Sequence, residues 1–413
     1  MTLISIPLSC VHAIASSSIS LPSSTPASDP PSPTTTTLLS TPRSSIYSLS
    51  FSPSSPRFAT GGGDSRVKIW SITNDLFKPP KMSDVSGTVR DDGGYSSIDA
   101  PLPPPPTAGT AAATPSSPPF LLWTGTSHAG SVLSVRWSSS GRYLASASDD
   151  TTVCIYHLTR SPPTSSYSFS STPNTVVNVE NWERCRVLRR HELDVVDICW
   201  SPDDEYLVSC SLDSQTPICV WLIDLPSCGS NATSTTTSNP VITMPKHILG
   251  TKSSYAHTST VKGVSFDPMG KFLTSFGDDP ALVVWSVPAT PSGAFKKELA
   301  IDASNSEVFN SAQGGGLSDA SSSLASLASL AMFRRVSWAP DGMTLALPGT
   351  YLKSKPIGSI VSRNTWKCGG EGGGANLVGH KKTVVVACYN QRMFENGGGE
   401  GARMVVAIGD KKG

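Results

Sequence analysis

The sequence is short of charge. Asp, Glu, Lys and Arg make up 15% of its 413 residues and balance to +1, where ordinary domains carry about 25%. No global field therefore draws the chain onto DNA or an anionic membrane. No stretch approaches the ~20 apolar residues needed to span a bilayer. Ile4 to Ala15 is mildly apolar but lacks the basic start and long apolar core of a secretory signal. The nine cysteines contain no C-x-x-C pair, which removes the zinc and thioredoxin-like readings. Cys199, Cys210 and Cys219 fall on expected strands, where a small buried hydrophobe is the natural role, and a reducing interior compartment fits best. Without secretion, the sequon Asn231-Ala232-Thr233 carries little meaning.

Catalytic patterns are missing as well. There is no G-x-S-x-G elbow, no H-E-x-x-H pair and no acid pair set apart from the repeating turn aspartates. Gly374 to His380 has the two-glycine spacing of a phosphate loop, but His stands where Lys is needed and a strand, not a helix, follows. No enzyme activity, catalytic residue, cofactor, metal or small-molecule substrate is expected.

What is present is one short pattern, returning at least five times. A hydrophobic strand ends in an aromatic and a small turn follows: Ser48–Pro53, Ser134–Ser138, Asp197–Pro202, Gly263–Pro268 and Arg335–Pro340. A second strand rich in small residues comes next, then an Asp-bearing turn and a third strand closing on Trp70, Tyr156, Trp221 or Trp285. The two aromatics stand nineteen residues apart in the pairs Phe51–Trp70, Trp137–Tyr156 and Phe266–Trp285, and twenty-one apart in Trp200–Trp221. Fixed inner spacing within variable outer spacing marks a repeat array, and the short strands between Ser-Pro-Asp-Gly turns mark sheets.

Asp64, Asp150 and Asp279 lie six residues before their closing aromatics; Asp213 lies eight before Trp221, so a two-residue insertion sits around Gln215–Pro217. Such an Asp accepts backbone N–H groups and holds a tight turn. His128, His191, His257 and His380 precede repeats, and burial near the Asp and aromatic would let each tie turns together. Residues that recur once per repeat read as structural, since an active site occurs once per protein.

Between the repeats lie Ser/Thr/Pro/Gly-rich inserts near 75–119, 160–175, 226–245 and 288–329. They offer too little apolar surface to offset their ordering entropy and are expected to be disordered excursions at blade edges. Residues 1–45 hold only two charges, Asp29 and Arg43, and read as a disordered leader. The remainder, 46–413, reads as one all-β domain.

The strand order and Asp-to-aromatic spacing resemble the WD-repeat β-propeller. A finer resemblance lies in the linkers: Asn178-Val179-Glu180-Asn181-Trp182 leading into Arg186–His191, then Ser209–Asp213, His257–Gly263, Asp267–Lys271, Phe333–Gly342, Ile360–Lys367, Val378–Lys382 and Tyr389–Phe394. This collinear run, over about residues 46–410, is similar to the HIR/HIRA histone chaperones. The propeller subunit of chromatin assembly factor shares the look of Asp194–Trp200 and of Phe333-Arg334-Arg335, but Thr365-Trp366-Lys367 and Val378-Gly379-His380 favour HIR/HIRA.

The resemblance implies a seven-bladed propeller, of which this chain would carry about five blades and part of a sixth, stopping at Met404–Asp410. The family's opening strand, with Trp and His, is replaced by the Ser/Pro leader, so an incomplete ring is expected. It also implies a nuclear scaffold subunit in replication-independent nucleosome assembly of histone H3–H4 and in transcriptional corepression, with ubinuclein-like protein partners. Chromatin association would be mostly indirect, and no membrane is involved. The alternatives are the replication-coupled assembly subunit and a generic adaptor such as a ubiquitin-ligase substrate receptor. Among the basic groups Arg184/Arg186/Arg189/Arg190, Arg334/Arg335 and Lys381/Lys382, the pair Arg334 and Arg335 is the candidate partner contact.

Overall fold

The computed structural model describes residues 44–72, 120–159, 178–224, 241–250, 257, 259–279, 281–290, 292–302, 332–352, 355–366, 374–395 and 402–410. The expected leader, the inserts near 75–119 and 160–175 and the glycine run 369–373 lie outside them, apart from the leader's last two residues.

The described elements are all strands, arranged as the repeats require. The first blade is β1 (Ile46–Phe51), β2 (Arg57–Gly62), β3 (Val67–Ser71) and β4 (Phe120–Gly125), paired in that order. The second is β5 (Val132–Trp137), β6 (Tyr143–Ser148), β7 (Thr152–Leu158) and β8 (Trp182–Arg189). The third holds β9 (Val195–Trp200), β10 (Tyr206–Ser211) and β11 (Ile218–Leu222). Its chain then leaves to add β12 (Val241–Thr243) to blade 2 before returning as the outer strand β13 (His247–Leu249). Blade 4 is β14 (Val261–Phe266), β15 (Phe272–Gly277), β16 (Ala281–Ser286) and β17 (Lys296–Asp302).

Blade 5 is β18 (Ser337–Trp338), β19 (Thr344–Leu352), β20 (Lys355–Ser362) and β21 (Ala375–Leu377). A sixth sheet begins with β22 (Val384–Tyr389), which pairs β25 (Val406–Asp410). Between them β23 (Phe394–Glu395) and β24 (Ala402–Arg403) form a small hairpin. The architecture is the expected all-β propeller of five blades and part of a sixth. Two inserts are corrected in part: β12 closes the one near 226–245, and β17, inside the one near 288–329, is blade 4's outer strand.

The core lies between blades. Ala59, Ile69 and Trp123 of blade 1 pack with Val135, Leu144 and Tyr156 of blade 2, and similar clusters join blades 2 to 3, 3 to 4, 4 to 5 and 5 to the sixth sheet. A middle strand therefore has a neighbouring sheet on both faces and is buried throughout, as the pattern of β10 shows. This explains the small residues of the second strands: a Cβ on Gly61 would stand 2.5 Å from a Val132 methyl in the next blade. The first strands of successive blades follow one another around a common axis, β1 to β5, β9, β14, β18 and β22.

Candidate interaction scaffold: turn networks, axis cluster and blade edge

Three of the four predicted histidines head a buried relay. In blade 2, His128 Nδ1 lies 2.9 Å from Asp150 Oδ2 and its Nε2 lies 2.7 Å from Ser146 Oγ, which also donates to Tyr156 OH at 3.3 Å. In blade 4, His257 Nδ1 meets Asp279 at 3.0 Å, Nε2 meets Ser275 Oγ at 2.8 Å, and Trp285 Nε1 donates to the same hydroxyl at 3.0 Å. Asp150 also accepts the Ala129 and Thr152 amides, closing its turn. The chain thus links turn, strand and closing aromatic through one side chain each.

Blade 3 differs because of its insertion. There Nδ1 of His191 donates to the Thr216 carbonyl at 2.7 Å, while Asp213 binds the Thr216 hydroxyl and the Gln215 and Glu192 amides. Nε2 accepts from Ser209 Oγ, and Trp221 Nε1 donates to Ser209 at 2.8 Å. A carbonyl where blade 2 has a carboxylate reverses the electrostatics. Burial drives the His191 pKa down, and the Thr216 carbonyl only partly opposes it, leaving about 4. Burial also works against a charged His128, but the hydrogen bond to Asp150, helped by the Cys154 sulfur, outweighs it and raises the pKa to about 9.

The other predicted turn residues sit in looser sites. Asp64 binds the Arg66 amide and Lys68 Nζ, and Trp70 Nε1 donates to Thr60 Oγ1. In the sixth sheet His380 stands 3.7 Å from Asp410, both about a fifth exposed. They are thirty residues apart in sequence, against twenty-two for His128 and Asp150, because the β23–β24 hairpin intervenes. Six described cysteines, Cys154, Cys185, Cys199, Cys210, Cys219 and Cys388, are free thiols, and among the described residues no His/Cys/Asp/Glu group could hold a metal.

Two sets of residues carry roles that the sequence reading did not assign to them, and each had a spacing signal. Ser146, Ser209 and Ser275 all follow their histidine by eighteen residues. The second set stands three residues before the aromatic that ends each first strand: Ser48, Ser134, Asp197, Gly263 and Arg335. This position faces the axis and links blade to blade. Asp197, 1% exposed, accepts from Ser134 Oγ at 3.0 Å, Arg136 Nη2 at 3.1 Å, Arg335 Nε at 3.2 Å and the Val264 amide at 3.3 Å. Arg335 in turn donates to the carbonyls of Tyr47, Leu133 and Val196, and lies 4.1 Å over the Phe333 ring. One guanidinium from blade 5 thereby touches blades 1, 2 and 3. Gly263 fits the set, since a Cβ there would lie 2.0 Å from the Arg334 carbonyl.

This placement corrects the partner-contact expectation for Arg334 and Arg335. Arg334 is 3% exposed, donates to the Gly277 carbonyl, faces Asp278 and stacks on Phe276. Arg335 sends all three nitrogens to internal acceptors, and burial lowers its pKa to about 10 against the pull of Asp197. Both guanidinium groups hold the ring together. With Asp197 almost wholly buried and Arg335 partly exposed, this ion pair is costly to break from the carboxylate side.

The distinctive linker 178–182 is likewise a joint. Asn178 exchanges bonds with the Thr124 backbone, Glu180 takes a forked contact from Arg57, and Trp182 Nε1 donates to Glu180 at 2.8 Å. It fastens blade 1 to blade 2. By contrast, Arg184, Arg189 and Arg190 are exposed on or beside the outer strand β8.

Known proteins give the same picture. The model of the WD domain, G-beta repeat, matches residues 33–71, 120–157, 182–216 and 250–286. Protein HIR1 of Mycosarcoma maydis is 30% identical over 366 residues, 89% of this chain and 27% of that protein. Protein hir1 of Schizosaccharomyces pombe is 30% identical over 86% of this chain and 29% of its own length, and Protein HIR1 of Gibberella zeae 29% over 84% and 26%. The chain spans between a quarter and three tenths of the length of these curated relatives. The repeat matches stop before blade 5, whereas the HIR1 matches take in most of the chain. The chain belongs to the HIR family of WD-repeat β-propeller proteins.

Proposed function

We propose that this chain is a propeller region of a nuclear scaffold subunit in a HIR-type histone chaperone complex. It acts in replication-independent deposition of histone H3–H4 and so in transcriptional corepression. Its work is binding and positioning, with no bond made or broken. The observation that carries this reading is the match to HIR1 proteins over more than four fifths of the chain. The structure supports it in kind: the ionised side chains on the axis are engaged with one another, which gives a rigid frame whose outer surfaces remain for proteins.

The runs shared in appearance with the replication-coupled assembly subunit, Asp194–Trp200 and Phe333–Arg335, contain the axis residues Asp197 and Arg335. They report on the frame that two such propellers would have in common and say nothing about partners. The test is purification of the tagged chain from nuclear extract with quantitative mass spectrometry. The reading expects histones H3 and H4 with ubinuclein-like and other HIR-complex subunits. Recovery of the large replication-coupled assembly subunit instead, or of ligase components alone, overturns it.

A further inference from the structure

The outer edge of blade 2 is the one described sheet edge where a strand is added in parallel. β12 pairs β8 as Val241 with Arg186, Ile242 with Val187 and Thr243 with Leu188, while the other strand pairs run antiparallel. It belongs to blade 3 by sequence, so it reaches sideways onto its neighbour. Its hold is short. It meets three of the eight residues of β8, and Pro240 and Pro245 bracket the run Val241–Met244; neither proline can donate to a ladder.

The edge beneath it is basic. Arg184, Arg186, Arg189 and Arg190 lie within or next to β8 against Glu183 alone in the same stretch. Arg186 donates to the Asp224 carbonyl and the exposed Arg184 donates one bond to the Ser127 carbonyl, while Arg189 is exposed. Continuing the observed register puts Met244 opposite Arg189. The chain's own strand therefore offers an apolar side chain to that exposed guanidinium group. A strand with a carboxylate at that position, and another toward Arg184, would add charge-assisted hydrogen bonds to the edge.

We propose that the β8 edge is a strand-addition site for an extended acidic segment of a partner protein, held in reserve by β12 until that segment displaces it. Backbone pairing would supply the general affinity and the two arginines the selectivity, as in other recognition by strand addition. This does not depend on the HIR assignment, since it rests on the edge, its register and its charge.

The test uses the full chain with Val241–Thr243 replaced by Gly-Ser-Gly, and two fluorescent peptides. One has the sequence of residues 239–245; the other is the same with Asn239→Asp and Met244→Glu. The acidic peptide should bind the replaced chain at least tenfold more tightly than the neutral one, and at least tenfold more tightly than it binds the unaltered chain. Raising salt from 50 to 300 mM, or introducing Arg184→Glu with Arg189→Glu, should remove the difference between peptides. No saturable binding, equal binding of the two peptides, or indifference to the arginine reversal overturns the proposal. If the replaced chain does not fold, the unaltered chain decides by hydrogen exchange. Millimolar acidic peptide should protect the β8 amides and release those of β12, and unchanged exchange at both overturns the proposal.

Discussion

The axis of the ring and the outer edge of its second blade use arginine to opposite ends. On the axis, Arg335 has a carboxylate and three carbonyls for partners and a ring beneath it, all supplied by the chain. On the edge, Arg184 and Arg189 stand exposed beside a short added strand. The difference lies in how much bonding the chain itself supplies, four acceptors for Arg335 against one carbonyl for Arg184, and not in residue type or sequence clustering. A frame is made where charges are mutually satisfied, and a surface for other proteins is left where they are not.

The comparison breaks most severely at Asp197. Asp197→Ala leaves Arg136 and Arg335 facing each other without their shared carboxylate, and should cost about 3 kcal/mol, the low end for a broken buried pair because both arginines are partly exposed. Urea unfolding measures it, and a loss below about 1 kcal/mol would remove the axis cluster from the account.

The turn relays should divide by pH. His191 has a folded pKa of about 4, below the ordinary 6.5. Its contribution is present above 6.5 and is lost as pH falls toward 4, about 2 kcal/mol between pH 7 and 5. His128 has a folded pKa of about 9. Its contribution is present below 6.5 and is lost as pH rises through 9, again about 2 kcal/mol between pH 7 and 9. His191→Gln should flatten the acid limb of a stability–pH curve and His128→Gln the alkaline limb. Unchanged limbs in both variants would contradict the assignment.

A smaller effect is expected at Ser275, whose hydroxyl serves both His257 and Trp285. Ser275→Ala should cost about 1–2 kcal/mol in the same unfolding assay by leaving buried partners unmet. The smallest belongs to the edge: Arg189→Ala should stay within about 0.5 kcal/mol, and a larger loss would place that arginine with the frame.

Much of this was legible in the sequence. The fixed distance between paired aromatics gave the blades, and the histidines and turn aspartates stood out by recurrence. Ser146, Ser209 and Ser275 were hidden among many serines, although their constant distance from His marked them. Arg335 misled because its partners Tyr47, Leu133 and Asp197 are 288, 202 and 138 residues away; adjacency to Arg334 made it look like a surface pair. β12 and β17 were missed because the first is only three residues long and the second, Lys296–Asp302, is mostly charged. Each lies inside a Ser/Thr/Pro/Gly-rich insert, and its strand character comes from the edge it joins. Blade 3's altered turn was visible as two extra residues, but its effect on His191 needed the position of the Thr216 carbonyl.

The most direct test of the division between frame and surface is thermal unfolding of two matched variants, Arg335→Met and Arg189→Met. With about 3 kcal/mol at stake on the axis and 2–4 °C per kcal/mol for a domain of this size, Arg335→Met should lower Tm by roughly 6 °C or more, and Arg189→Met by under about 2 °C. Equal shifts in the two variants would contradict the account.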